Sequence, residues 1–219
     1  MTLPSIIANA SLWQMISQGG WAMIPLGISS LVLIYLILHC FRETAPKNFG
    51  HDALASDIAS ALETGPLNDA IAIAKREGSL LSRSIAEAFG THRTTEQMES
   101  KIIETVDLEE HAISQWIQYL AVVATAAPMV GLLGTVSGMI GAFQTMSSGG
   151  MGRPELLAGD IGEALITTAT GLCIGIPAMV FHSFFTHRLE NQLVETTQRA
   201  SQILEQMETS STAESGVEG

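Results

Sequence analysis

Ala126-Ala127-Pro128-Met129-Val130-Gly131-Leu132-Leu133-Gly134-Thr135-Val136-Ser137-Gly138-Met139-Ile140 is the centre of a stretch, residues 112–152, that holds no Asp, Glu, Lys or Arg. A second uncharged stretch runs from Ala164 to Thr186, with Glu163 at its mouth. Each is long enough to cross a bilayer, for which ~20 apolar residues suffice. Both are rich in Gly, Ala, Ser and Thr rather than in Leu and Phe. Lipid anchoring alone gives no reason for such a surface. Close packing on other helices does, and so does a narrow polar path between them.

The chain has 219 residues and a positive mean hydropathy, although 22 acidic residues oppose 10 basic ones. The two facts agree only if charge is segregated, and it is. Nearly all of it falls between Arg42 and His111 or after His187. The acidic balance excludes a nucleic-acid surface, which needs a basic stripe. The pattern predicts an all-α membrane protein with three transmembrane helices, at 21–41, 116–146 and 161–186. A short amphipathic segment, 1–20, precedes the first. A helical domain at 42–115 and a helix at 187–207 flank the spans, so that two of the spans extend into one helical bundle. A short loop, 147–160, joins the last two spans, and 208–219 reads as a disordered acidic tail. Arg42, Lys47 and Arg188 flank the spans on one side, which places 42–115 and the C-terminus in the cytoplasm and the N-terminus outside.

Within 42–115, apolar residues recur every three to four positions over Asp52 to Glu63, Leu67 to Glu77 and Leu80 to Phe89, each a predicted helix. From Thr94 no Gly or Pro intervenes before Pro128, so one long helix is expected to enter the second span. Helical spacing aligns Pro128, Gly131, Thr135, Gly138, Ala142 and Thr145 in that span. It aligns Ala164, Thr168, Gly171, Gly175 and Ala178 in the third. Gly134 with Gly138, and Gly171 with Gly175, make Gly-x-x-x-Gly pairs, a signature of close helix packing. Pro128 and Pro177 are candidate kinks.

Small-residue packing does not account for Thr167, Thr168, Thr170 and Glu163. A membrane threonine can satisfy its hydroxyl on a carbonyl one turn back, so none is decisive alone. Glu163 reads either as a first-turn acid favoured by the helix dipole or as a carboxylate facing a central cavity. Glu163, Thr167 and Thr170 share a face of a straight helix, whereas Thr168 lies ~140° from Glu163 at 100° per residue. All four point at one axis only if the helix bends; otherwise they serve two interfaces. Cys40 and Cys173 form no disulfide framework or metal site. His182 and His187 lack metal-ligand spacing. No phosphate loop or nucleophile motif occurs, so no enzymatic activity and no organic cofactor are expected.

Three segments together resemble the MotA/TolQ/ExbB proton channel family. They are Gly19-Gly20-Trp21-Ala22-Met23-Ile24-Pro25-Leu26, then Ala127-Pro128-Met129-Val130-Gly131-Leu132-Leu133-Gly134-Thr135-Val136, and then Ile161-Gly162-Glu163-Ala164-Leu165 through Thr168, Gly171-Leu172 and Ile176-Pro177-Ala178. Three spans match its ExbB and TolQ branch, since the flagellar stator subunits have four. The resemblance implies a ring, usually a homo-pentamer, in the bacterial inner membrane, with the N-terminus periplasmic. Inside the ring it implies an ExbD-like single-span partner carrying the membrane aspartate, and a TonB-like protein beyond it. Protons, or sodium, would be the coupling ion. Thr135 and Thr168 match the family's pore-lining threonines and Glu163 its span-three glutamate, with Thr167 and Thr170 beside them. The expected function is an ExbB-like motor subunit that energises TonB-dependent transport. A TolQ-like envelope-maintenance subunit and a non-conducting scaffold are the alternatives.

Overall fold

The computed structural model describes residues 19–50, 52–64, 72–74, 78–91, 94–147 and 154–215, with backbone alone at 52, 53, 59, 62–64, 91, 154–157 and 209–215. The described residues form α1 (Met23–Glu43), α2 (Asp52–Thr64), α3 (Leu80–Thr91), α4 (Thr95–Ser147) and α5 (Pro154–Ser215), with a 3₁₀ turn at Pro46–Asn48. No strand occurs among them. Three of these helices are long and apolar enough to cross a membrane. Only 22%, 28% and 28% of their most apolar windows is buried within the chain. The remaining apolar surface therefore faces lipid or further helices. The predicted segment 1–20 lies outside the described residues apart from its last two, and the helix expected over 67–77 does so apart from 72–74.

The chain forms two compact units, and α1, α4 and α5 each contribute to both. The first comprises α1 as far as Leu38, α4 from Gln118, and α5 as far as Ser183. Ala22, just before α1, and Leu26, Leu33 and Leu36 within it are buried, at spacings of three, four and seven, while Ile24, Ile28, Leu31, Tyr35 and Leu38 are exposed. A helix apolar on every side buries one stripe on its neighbours and offers the rest to hydrocarbon.

The second unit comprises residues 39–117 and 184–219 as far as they are described. Its core contains Phe49, Ile58, Leu80, Leu81, Ile85, Ala88, Ile102, Ile117, Phe185, Leu189, Ala200 and Ile203. Ser79 caps α3, its Oγ accepting from the Ser82 amide at 3.3 Å, and the buried Ser82 hydroxyl donates to the Ala74 carbonyl. Arg83 of α3 pairs with Glu109 of α4 at 2.8 Å. The turn after α1 has carbonyls with no helical partner, and α5 supplies donors to them. Arg188 Nε donates to Thr44 O at 2.9 Å, and Arg199 to Gly50 O at 3.1 Å. Gly50 has φ +115°, and a Cβ there would lie 2.8 Å from Leu81 Cβ. Glycine is required on both counts.

Two boundaries differ from the sequence reading. Helix α5 begins at Pro154, inside the expected loop at 147–160. Proline suits a first helical turn, where its missing N–H has no partner to lose. Helix α5 also runs to Ser215, well into the tail expected to be disordered from 208. Ser and Thr are only modestly worse helix formers than Ala, by about 0.5 kcal/mol each, and no Gly or Pro interrupts before Gly216.

Removing the Arg199 guanidinium while keeping an apolar stem, Arg199→Met, leaves the buried Gly50 carbonyl unpaired. It should destabilise the protein by about 1–3 kcal/mol. Glu195 also pairs with Arg199, at 2.6 Å, but is half exposed, so Glu195→Gln should change stability by less than about 1 kcal/mol. Thermal unfolding of the detergent-solubilised protein measures both.

Candidate functional site

The uncharged stretches of α4 and α5 run antiparallel along a seam of small residues. Pro128 lies against Gly175, Ala127 against Gly171, Gly131 against Thr167, Thr168 and Gly171, and Gly138 against Asp160 and Ala164. At the far end the Thr145 hydroxyl donates to Asp160 Oδ2 at 3.3 Å. A Cβ on Gly131 would lie 2.8 Å from Thr167 O and 3.3 Å from the Gly171 Cα. One on Gly171 would lie 2.6 Å from Ala127 O, and one on Gly138 2.8 Å from Asp160 O. On Gly134 it would overlap the Thr167 side chain, and on Gly175 it would meet the Pro128 ring at 2.5 Å. All five glycines singled out from the sequence thus stand where no side chain fits. Both helices continue through their prolines, and the Pro128 ring occupies the space that Gly175 leaves open.

The threonines share one bonding pattern. Thr135 donates to Leu132 O at 2.6 Å, Thr167 to Ala164 O at 2.8 Å and Thr170 to Ile166 O at 2.8 Å, each within its own helix. Thr168 instead crosses the seam and donates to Gly131 O at 3.1 Å. A hydroxyl has one donor and two acceptor lone pairs. With every donor engaged on a carbonyl, these side chains offer acceptors alone.

Their accessibility separates them. Thr135, Thr168, Thr170 and Glu163 are partly exposed. Thr167 has no exposed surface and is enclosed against Gly134. Within the chain it packs against Gly131 and Gly134. Thr168 meets α4 at Gly131, whereas the Glu163 carboxylate ends at Gly20, in the turn before α1. Glu163 and Thr168 accordingly serve two interfaces, as their angular separation on α5 requires.

Sequence reasoning missed the surroundings of Glu163. Trp21 Nε1 donates to Ser137 Oγ at 3.1 Å, and Gly19 lies close to Ile166. In the sequence Gly19-Gly20 only opens the first of the three segments that carry the family resemblance. No periodicity links it to residues more than a hundred positions away. Among the described residues no three His, Cys, Asp or Glu side chains gather as a metal site. Cys40 is buried and Cys173 exposed.

The sequence of this chain has relatives. Residues 72–198 match the MotA/TolQ/ExbB proton channel family. The chain belongs to that family. It is 31% identical over 180 residues to the biopolymer transport protein ExbB of Neisseria meningitidis serogroup A, covering 75% of this chain and 80% of that protein. With ExbB of Xanthomonas campestris pv. campestris it shares 27% identity over 183 residues, 74% of this chain and 70% of that protein. The Tol-Pal system protein TolQ of Haemophilus influenzae is 36% identical over 81 residues, 37% of this chain and 36% of that protein. Family membership and the three apolar helices make this a bacterial membrane protein.

Gly134→Leu and Gly171→Leu should prevent α4 and α5 from meeting and abolish folded protein. Gly90→Ala in α3, where a Cβ meets nothing within 4 Å, should be neutral or stabilise by about 0.5–1 kcal/mol. Thr135→Val should fold, since it loses one exposed, same-helix bond. Size-exclusion chromatography of fluorescently tagged variants separates these outcomes.

Proposed function

We propose that the chain is an ExbB-like subunit of a proton-driven motor in the bacterial inner membrane, which energises TonB-type transport across the outer membrane. The observation that carries this reading is the seam itself. Thr168 bonds across it, Thr135 and Thr170 lie partly exposed on the same two helices with their donors engaged on carbonyls, and no carboxylate stands deep within a span. Acceptor oxygens favour a protonated or cationic species, and they do so without fixed charge. The group that takes up and releases the proton then comes from outside this chain. An ExbD-like single-span partner carrying an aspartate supplies it, held in a lumen formed by a ring of about five copies. An isolated ionised carboxylate in lipid is unfavourable by several kcal/mol, so it needs such a polar lumen or must be neutral.

In this mechanism Thr135 and Thr168 hold water or the ion beside the partner's carboxylate, and Glu163 lies at the outer end of the path. Loss or gain of the proton changes which position in the ring the partner helix prefers. With two copies of the single-span partner inside it, a fivefold ring cannot satisfy both equally, so each proton drives a rotational step. Residues 42–115 and the end of α5 lie in the cytoplasm and the N-terminus lies in the periplasm. The extent of the likeness favours this role over a TolQ-like one: the ExbB relatives align with about three quarters of the chain, and the TolQ relative of Haemophilus influenzae with 37%.

Thr168→Val removes the hydroxyl at nearly constant volume and one bond worth about 1 kcal/mol, so the complex should still assemble. Cells relying on this variant should fail to grow on an iron source that requires TonB-dependent uptake. Normal growth on that source with normal envelope integrity would refute a role for Thr168 in the ion path. Normal growth with detergent-sensitive envelopes would move the chain to the TolQ-like role.

A further inference from the structure

The Glu163 carboxylate ends where a side chain on Gly20 would begin. A Cβ built on Gly20 overlaps Glu163 Oε1, lies 2.5 Å from Cδ and 3.3 Å from Oε2. Gly20 has φ +60°. Its carbonyl accepts from the Met23 amide at 3.2 Å, which starts α1. The residues beside it are fixed to the same two helices. Trp21 Nε1 holds Ser137 of α4 at 3.1 Å, and a Cβ on Gly19 would lie 3.5 Å from Ile166 of α5.

We propose that Gly20 is a positioning residue for Glu163. A glutamate on an exposed helix face has three rotatable bonds and reaches many places. Here one side of its range is closed by the backbone of the turn at 19–21. That turn is held to α4 through Trp21 and Ser137, so it acts as a wall rather than a loose loop. Gly20 is the one position in the wall whose side chain would occupy the carboxylate's place. Its bare Cα sets how far the carboxylate extends from α5, and so where its charge stands at the mouth of the span. Positions 20 and 163 are therefore coupled in energy although they are far apart in sequence. The inference rests on the proposed function only for the consequence of that placement in conduction.

A double-mutant cycle on the purified complex tests the coupling, with thermal unfolding as one readout and proton flux in proteoliposomes as the other. Gly20→Ala should lower Tm by about 3–5 °C, most of it strain at positive φ and a smaller part displacement of the flexible Glu163 carboxylate. In a Glu163→Ala background the collision is gone, and the loss should fall to about 2–3 °C. Gly20→Asn, which tolerates positive φ, should still be impaired beside Glu163 and be relieved by Glu163→Ala. Equal losses in both backgrounds would overturn the proposal and leave Gly20 a turn residue alone. For flux, Gly20→Ala should cause a several-fold loss in assembled complex. Unchanged flux in Gly20→Ala, where Glu163→Ala abolishes flux, would overturn the positioning role by itself. Unchanged flux in Glu163→Ala would instead refute the place of Glu163 in the ion path, whatever the Tm cycle shows.

Discussion

The close approach of two backbones, α4 on α5, is the constraint on which the rest of the first unit depends. Where Gly131 faces Gly171, each Cα stands at about the distance a side chain would need. Lipid provides no hydrophobic drive between helices, so association relies on dispersion and on bonds that hydrocarbon cannot replace. Both strengthen as the axes approach, and only residues without a Cβ permit that approach over several turns. The Thr168 hydroxyl reaches the Gly131 carbonyl because the glycines bring it within 3.1 Å. The seam is thus a cause of the polar chemistry and not merely its scaffold.

Close approach also decides what the threonines can offer. In a membrane an unsatisfied hydroxyl donor is unfavourable, so each one finds a carbonyl, in its own helix or, for Thr168, across the seam. Thr135, Thr167, Thr168 and Thr170 all do so. What remains outward is oxygen lone pairs. Carboxylates in the same places would add fixed charge within the span, which hydrocarbon opposes.

The helices were legible because composition states their environment directly. An uncharged run of this length has one usual meaning, and Gly-x-x-x-Gly within it marks the packed face. Four of the five seam glycines follow from that spacing, and Gly131 from the stripe of small residues beside it. The ends of α5 were not legible, because an apolar span and a helix are different objects. Charge bounds the apolar run, whereas the described helix starts earlier, at Pro154, and reaches Ser215. Thr167 misled for a related reason. Its type suggested a pore, but its enclosure depends on Gly134 of another helix, which no single-helix pattern contains. The Gly20 contact was hidden most completely, since it joins a turn to a helix through tertiary structure only.

Helix α5 consequently carries two different chemistries on two faces. Toward α4 it presents Ala164, Thr167, Thr168, Gly171 and Gly175, where any added atom collides. Toward the turn before α1 it presents Glu163 and Ile166, against Gly20 and Gly19. A rigid seam on one side lets the other side hold a charged group without spreading it over many rotamers, because the helix that bears it does not shift. Had both faces been loose, the position of the carboxylate would average over the space at the end of the span. Had both been closed by side chains, no carboxylate would fit. One seam of glycines and one further glycine beyond it leave the Glu163 carboxylate a defined place at the mouth of the span.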